Sequence, residues 1–247
     1  MKKVVAVLLF VMILCVAAMA LSEEQTLSQD IAAGDVITFG HYEQDNDPDN
    51  GPEPIEWMVL DVQDGKALLL SRDGLDAGKY NTEWTAVTWE NCTLRSWLNS
   101  DFLNSAFTAE EQAAILMTEV DNSESQGYSG WSTTGGNSTH DQIFLLSYEE
   151  ANKYLDVQHW EIDGADENMK SRVVPTAYAI ARGAECNSFY QTADGQPAGW
   201  WWLRSPGFNQ DNAAYVNNDG SLSDLNATNT DNVIRPALWI DLNSGIF

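Results

Sequence analysis

The sequence predicts an α+β protein built from antiparallel sheets, short helices and long loops. Three observations carry this expectation. Two apolar runs, Ile55–Val62 and Lys66–Ser71, are joined through Asp64-Gly65, a strong hairpin signal. The middle of the chain then changes period: Leu94, Trp97, Leu98 and Phe102 fall at i, i+3, i+4 and i+8, one apolar helical stripe. Strand patterns return after Trp200. Strands, then helices, then strands again speak against a doubly wound parallel sheet.

Taken in order, the chain opens with Met1-Lys2-Lys3, an apolar run to Met19 and an Ala18-Met19-Ala20 cleavage pattern. This reads as a signal peptide over residues 1–20, so a secreted or cell-surface protein is expected. The run falls short of the ~20 apolar residues that a spanning helix needs. Cys15 raises a lipoprotein anchor as the alternative, but Leu14 stands where such signals carry a small residue. Residues 21–33 form a polar lead-in, and 34–247 are expected to make one domain. Val36–Gly40 reads as a strand, followed by a turn-rich segment from Asp45 to Pro54.

Asn91 or Thr93 can cap the first helix, and Thr108-Ala109-Glu110-Glu111 is a capping box for a second, running to about Leu116. Residues 122–141 are Ser, Gly, Thr and Asn with Tyr128 and Trp131 interspersed, a long loop of the kind that often carries function. Ile143–Leu146 reads as a short buried strand, and Ser147–Glu150 repeats the capping box for a helix to about Leu155. After an irregular stretch, Pro175 suits the first turn of a helix over Thr176–Arg182 that Gly183 stops. Strands follow at 200–204, 213–217 and 221–225, the last two turning on Asp219-Gly220. A final strand over 233–242 contains Pro236, which requires an edge or a bulge.

Charge narrows the partners. The chain has 37 acidic against 12 basic residues and a net charge of −25. Such a surface repels phosphate backbones and anionic lipid heads, so neither nucleic acid nor a membrane surface is an expected partner, apart from an N-terminal anchor. The acidity keeps an exported protein soluble; the alternative is that it collects divalent or cationic partners. Beyond the leader stand Cys92 and Cys186, which could form a disulfide in an oxidising compartment or remain two thiols. Neither has zinc-site or redox-motif spacing.

The blocks FGHYEQ, PIEWMVLD, ALLLSRDGLD, WENCTLRSWLNSDFLNSAFTAEEQ, DQIFLLSYEEA, TAYAIARG, WWWLRSPG, AAYVNNDGSL and VIRPALWIDL occur in that order across residues 34–242. Together they resemble a bacterial family of exported or surface domains of unknown function. The tail, WLRSPG followed by a DG-turn strand and IRPAL, also resembles the end of C-type-lectin-like domains, a group that includes formylglycine-generating enzymes. This resemblance implies a C-type-lectin-like mixed domain. It implies little about activity, since such a fold hosts sugar binding, protein binding and catalysis. Cys92 stands where the family carries serine, and Ile234 where glycine or valine is common. Formylglycine generation would need a pair of reactive cysteines in the C-terminal half, where Cys186 stands alone.

Candidate ligand residues cluster in the tail. Strand alternation places Trp200 and Trp202 on one face and Trp201 and Leu203 on the other, so one face is core and another tryptophan is a candidate platform. Asn209, Asp211, Asn212, Tyr215, Asn217 and Asp219 add polar groups on the neighbouring loops and strand. Such oxygens suit calcium, as do the alternate acids Asp45, Asp47 and Asp49, although the latter run lacks the glycine placement and closing glutamate of an EF-hand. Asp and Asn are also ordinary turn residues. Arg204 and Arg235 lie in apolar strands, where a buried charge needs a partner; internal carboxylates bracing the tail are expected.

His41, His140 and His159 are isolated, and no nucleophile-elbow, zinc-protease or P-loop motif is present. The expected function is recognition of a glycan or surface protein, without catalysis and without a cofactor unless calcium serves. A carbohydrate- or peptide-acting enzyme using loop carboxylates, and a structural envelope domain, are the alternatives.

Overall fold

A computed structural model describes residues 31–247; the expected signal peptide and most of the lead-in lie outside the described residues. The α+β expectation holds, with antiparallel sheets and short helices. The first sheet has the order β1-β2-β3-β13, from β1 (Val36–Tyr42), β2 (Glu53–Gln63), β3 (Lys66–Ser71) and β13 (Ala237–Asp241), all antiparallel. Asp64 and Gly65 both have positive φ, 51° and 74°, as a two-residue hairpin with the twist of its strands requires.

The second sheet has five strands, β11-β10-β9-β12-β4, comprising β4 (Asp76–Ala77), β9 (Trp201–Pro206), β10 (Asn212–Val216), β11 (Leu222–Asn226) and β12 (Val233–Ile234). Only β12 and β9 run parallel. Two small hairpins, β5 (Thr118–Val120) with β6 (Thr139–Asp141) and β7 (Cys186–Gln191) with β8 (Pro197–Gly199), complete the strands.

The two large sheets are joined by a double crossing. The strand expected over 233–242 breaks at Arg235-Pro236: β12 belongs to the second sheet and β13 to the first. The proline donates no hydrogen bond, so the ladder is interrupted where the chain changes sheet. Beside it, β3 passes to β4 in the same way. The Ser71 N–H donates to Pro236 O at 3.0 Å and the Leu75 N–H to Ile234 O at 3.0 Å, so the two segments cross as a pair. One cluster of buried side chains, from Phe39 to Ile240, fills the space between both sheets and the helices.

The helical expectations hold with local corrections. The first helical stretch divides into α1 (Thr93–Trp97), a π-helical turn over Leu98–Phe102 and α2 (Leu103–Ala106). Its cap is neither Asn91 nor Thr93 but Cys92, whose Sγ accepts the Arg95 N–H at 3.4 Å. Both capping boxes form, on α3 (Ala109–Ala114) and α4 (Tyr148–Leu155), though α3 ends before Leu116. In α5 (Ala177–Ala181) Thr176 is the cap, which places Pro175 before the helix rather than in its first turn. Ile143–Leu146 is buried but makes only a bridge, Phe144 to Ala237, on the outer edge of β13, which Ile115 and Leu116 share at Ile240 and Trp239. Among the described residues no helix is long and apolar enough to cross a membrane.

Candidate ligand-binding cleft

The sequence placed the ligand platform on the tryptophan triplet, and the structure corrects this. β9 is the middle strand of its sheet and is covered on both faces, so Trp201, Trp202 and Leu203 are all fully buried. Alternation predicts one buried face only when the other meets solvent. Trp202 donates its indole N–H to Gly78 O at 2.8 Å and packs on Tyr80, and therefore cannot stack a ligand. Trp201 donates to Ser171 O at 3.0 Å. Trp200, just before the strand, is part-buried.

The polar residues after β9 are largely consumed by their own loop. Asn212 Nδ2 donates to Asp224 Oδ2 at 2.7 Å, and the same oxygen accepts the Phe208 N–H at 3.0 Å. Asp219 Oδ1 accepts the N–H and hydroxyl of Ser221, and Asn217 Oδ1 accepts the Asn218 N–H. Asp211 accepts the indole N–H of Trp84, Tyr215 stands edge-on to Trp202, and Asn209 is exposed. These are Asx turns and strand contacts.

The first acidic run behaves similarly. Asp45 Oδ1 accepts the Asp47 N–H at 2.8 Å, and Asp47 Oδ1 accepts the Asp49 N–H at 3.2 Å. The carboxylates that converge with Asp45 are Glu43 and Glu53 rather than Asp47 and Asp49.

The loop from Asp121 to Ser138 is built differently. At its base Asn122 is buried and donates to Asn137 O at 2.9 Å, tying the two ends together. Asp141, also buried, receives the Trp89 indole N–H at 2.9 Å, the Thr139 hydroxyl at 2.7 Å and Arg95 Nε at 2.6 Å. A Cβ on Gly135 would lie 1.9 Å from Asn122 O, so only glycine permits this closure. The far side is clamped to the tail: Thr133 Oγ1 donates to Gly207 O at 2.7 Å, while Gln210 accepts the Thr134 N–H and donates to Thr134 O. Gln126 O and Oε1 accept the hydroxyls of Ser205 and Ser147.

This frame surrounds a cavity of about 480 Å³. Ser123, Ser125, Ser129, Ser132 and Thr133 give it a hydroxyl wall, with Glu124 the one carboxylate on its lining. Tyr128 and Trp131 supply aromatic faces. Tyr128 stacks on His159 at 4.3 Å with the rings 3° from parallel, and Trp131 stands edge-on to Tyr128 at 5.5 Å. His159 then meets Trp160, 5.6 Å away, which is 60 % exposed and borders an acidic depression with Asp163, Asp166 and Asp219. A row of four rings thus links the hydroxyl cavity to the acidic depression. Burial lowers the His159 pKa, opposed by Glu161 and Asp224, so the imidazole is held below its ordinary basicity. Of the predicted ligand residues, only Asp219 touches this row of clefts, at its far end. The signal for the rest was present in the aromatic interruptions of the 122–141 loop.

The two tail arginines diverge. Arg204 is braced as expected: its guanidinium meets Glu150 through both terminal nitrogens and donates to Leu145 O and Asp121 O. Arg235 is not. It is 1 % exposed and stapled to the crossing segment through Ser71 O at 2.9 Å and Arg72 O at 3.3 Å, over the Trp201 ring, with no carboxylate in ion-pair range among the described residues. Burial pulls its pKa down to about 10. Cys92 and Cys186 are both free; Cys92 is buried, which pushes its thiol up to about 12, and Cys186 is exposed.

No curated protein and no solved structure matches the chain. A family model matches residues 64–242, beginning inside the β2–β3 turn so that β1 and β2 precede the matched part. The chain belongs to that family, described as Domain of unknown function (DUF6273).

Proposed function

We propose that this chain is an exported recognition module that holds a glycan against Trp131, Tyr128 and Trp160, whose rings pack around the buried His159. The aromatic row beside the hydroxyl-lined cavity carries the reading. Sugar rings present apolar C–H faces and equatorial hydroxyls, and they are held by aromatic faces together with fixed polar groups. Here the Trp131 and Tyr128 faces and the hydroxyls lie on one loop closed by Gly135 and clamped at Thr133 and Thr134. Pre-ordering lowers the entropic cost of binding. Hydrolysis by paired carboxylates needs two acids across the bond, and Glu124 is alone on the cavity lining, which favours recognition over cleavage. We read the architecture as C-type-lectin-like, supported by the irregular sheets, the clamped loops and the tail motif; the signal-like leader supports secretion or display at the cell surface.

The test is a glycan array probed with wild type and Trp131→Ala, each with and without chelator. The reading expects binding that Trp131→Ala weakens strongly. Undiminished binding in the variant, or an array with no hit, contradicts it. Loss on chelation would bring calcium into the site.

A further inference from the structure

A second cavity, of about 510 Å³, lies against the double crossing and is lined by Arg72, Lys170, Arg172 and Arg235. Four cations around one cavity are unexpected in a chain with 12 basic and 37 acidic residues. Among the described residues only Arg72 of the four makes ion pairs, with Glu56 at 2.7 Å and Asp194 at 3.7 Å. Arg172 spends its guanidinium on three backbone carbonyls, those of Asp219, Gln191 and Asp166, and among the described residues no carboxylate reaches it. Arg235 goes further: it is buried, and its Nη1 has no hydrogen-bond partner among the described residues. A guanidinium buried this way is strongly unfavourable unless an anion completes it.

The lining acids are Glu56, Asp73 and Asp194. Asp73 does not complete Arg235, and burial raises its pKa despite the neighbouring arginines. Four cations against three acids leave room for one negative charge, whereas a dianionic phosphate would meet the remaining carboxylates at close range. The volume is that of a small-molecule site.

We propose that this cavity binds a small carboxylate-bearing ligand whose carboxylate completes the buried Arg235 guanidinium. Guanidinium and carboxylate match as planar, two-point partners. The site is separate from the aromatic row and does not depend on the glycan reading.

Methionine methyl NMR on the full chain reads the site directly, because Met58 and Met169 line this cavity while Met117 lines a different one. Titration with galacturonate, with neutral galactose and with inorganic phosphate distinguishes the chemistry. The expected result is saturable shifts of Met58 and Met169 by galacturonate alone, with Met117 still. A capped peptide with a free C-terminal carboxylate, set against its amide, then separates a sugar acid from a peptide terminus. Arg235→Met should abolish the shifts; because Arg235 also staples the crossing, the exposed Lys170→Ala serves as the second variant and should weaken binding several-fold with the fold intact. Equal shifts by galactose, preference for phosphate, or no shift with any carboxylate at millimolar concentration overturns the proposal.

Discussion

Two polar loops lie side by side in this molecule, clamped to each other by Thr133–Gly207 and Thr134–Gln210, and they use their side chains in opposite ways. From Gly207 to Asp231, the oxygens of Asn217, Asp219, Asp224, Asn226 and Asn229 accept hydrogen bonds from groups of the same β10–β11 hairpin and its flanking turns. In the Asp121–Ser138 loop, Ser129 and Ser132 line the cavity without a side-chain bond to the described residues, beside the faces of Tyr128 and Trp131. The first loop is self-wired and the second is framed by its ends, leaving its middle available. Richness in Asn and Asp therefore marks turns here, while Ser and aromatic residues between two anchors mark the cleft.

Five predictions put weight on that contrast. The largest effect is on the frame itself. Glu150 pairs with buried Arg204 while capping α4, so Glu150→Ala leaves an uncompensated charge. A loss of about 3–5 kcal/mol is expected, read as a lower urea midpoint. Next, Gly135→Ala forces a Cβ into Asn122 O, at a cost of about 1–3 kcal/mol. It should also weaken glycan binding without removing any group that touches the ligand; unchanged affinity would mean that the closed loop is irrelevant to binding.

Trp131→Ala should cost about 2 kcal/mol of binding, roughly 30-fold in affinity, as expected for an aromatic anchor, with little change in melting temperature. Its counterpart in the self-wired segment, Asn212→Ala at the start of β10, should do the reverse: about 1 kcal/mol of stability lost with the Asp224 bond, and affinity unchanged by calorimetry.

The smallest effect is a pH dependence. Burial lowers the folded pKa of His159 below its ordinary 6.5, so the unfolded chain binds the proton more readily. This contribution is fully present above the unfolded value and is lost as pH falls through the folded one. Wild type should lose stability on acidification more steeply than His159→Phe, which keeps a ring against Tyr128; parallel denaturation curves would contradict this.

Much of the frame was legible in the sequence because it rests on local chemistry. Asp64-Gly65, the Thr108 and Ser147 capping boxes and the Gly183 stop act within a few residues, and all appear where their residue types require. What was not legible depends on strand order. Whether Trp202 meets solvent depends on which strands flank β9, and alternation within one strand carries no record of its neighbours. The same holds for Arg235: a buried arginine calls for a partner, but the sequence cannot show that the double crossing keeps the carboxylates out of its reach. Cys92 as a helix cap is not legible in the sequence because thiols are weak acceptors.

The central claim, that recognition sits on the ring row and not on the tryptophan triplet, is tested most directly by indole N–H NMR during a titration with a glycan identified on the array. The account predicts shifts of the Trp131 and Trp160 indoles, with those of Trp201 and Trp202 unmoved. Shifts confined to Trp200 and the Asn209–Asp219 amides, with Trp131 and Trp160 silent, would contradict it.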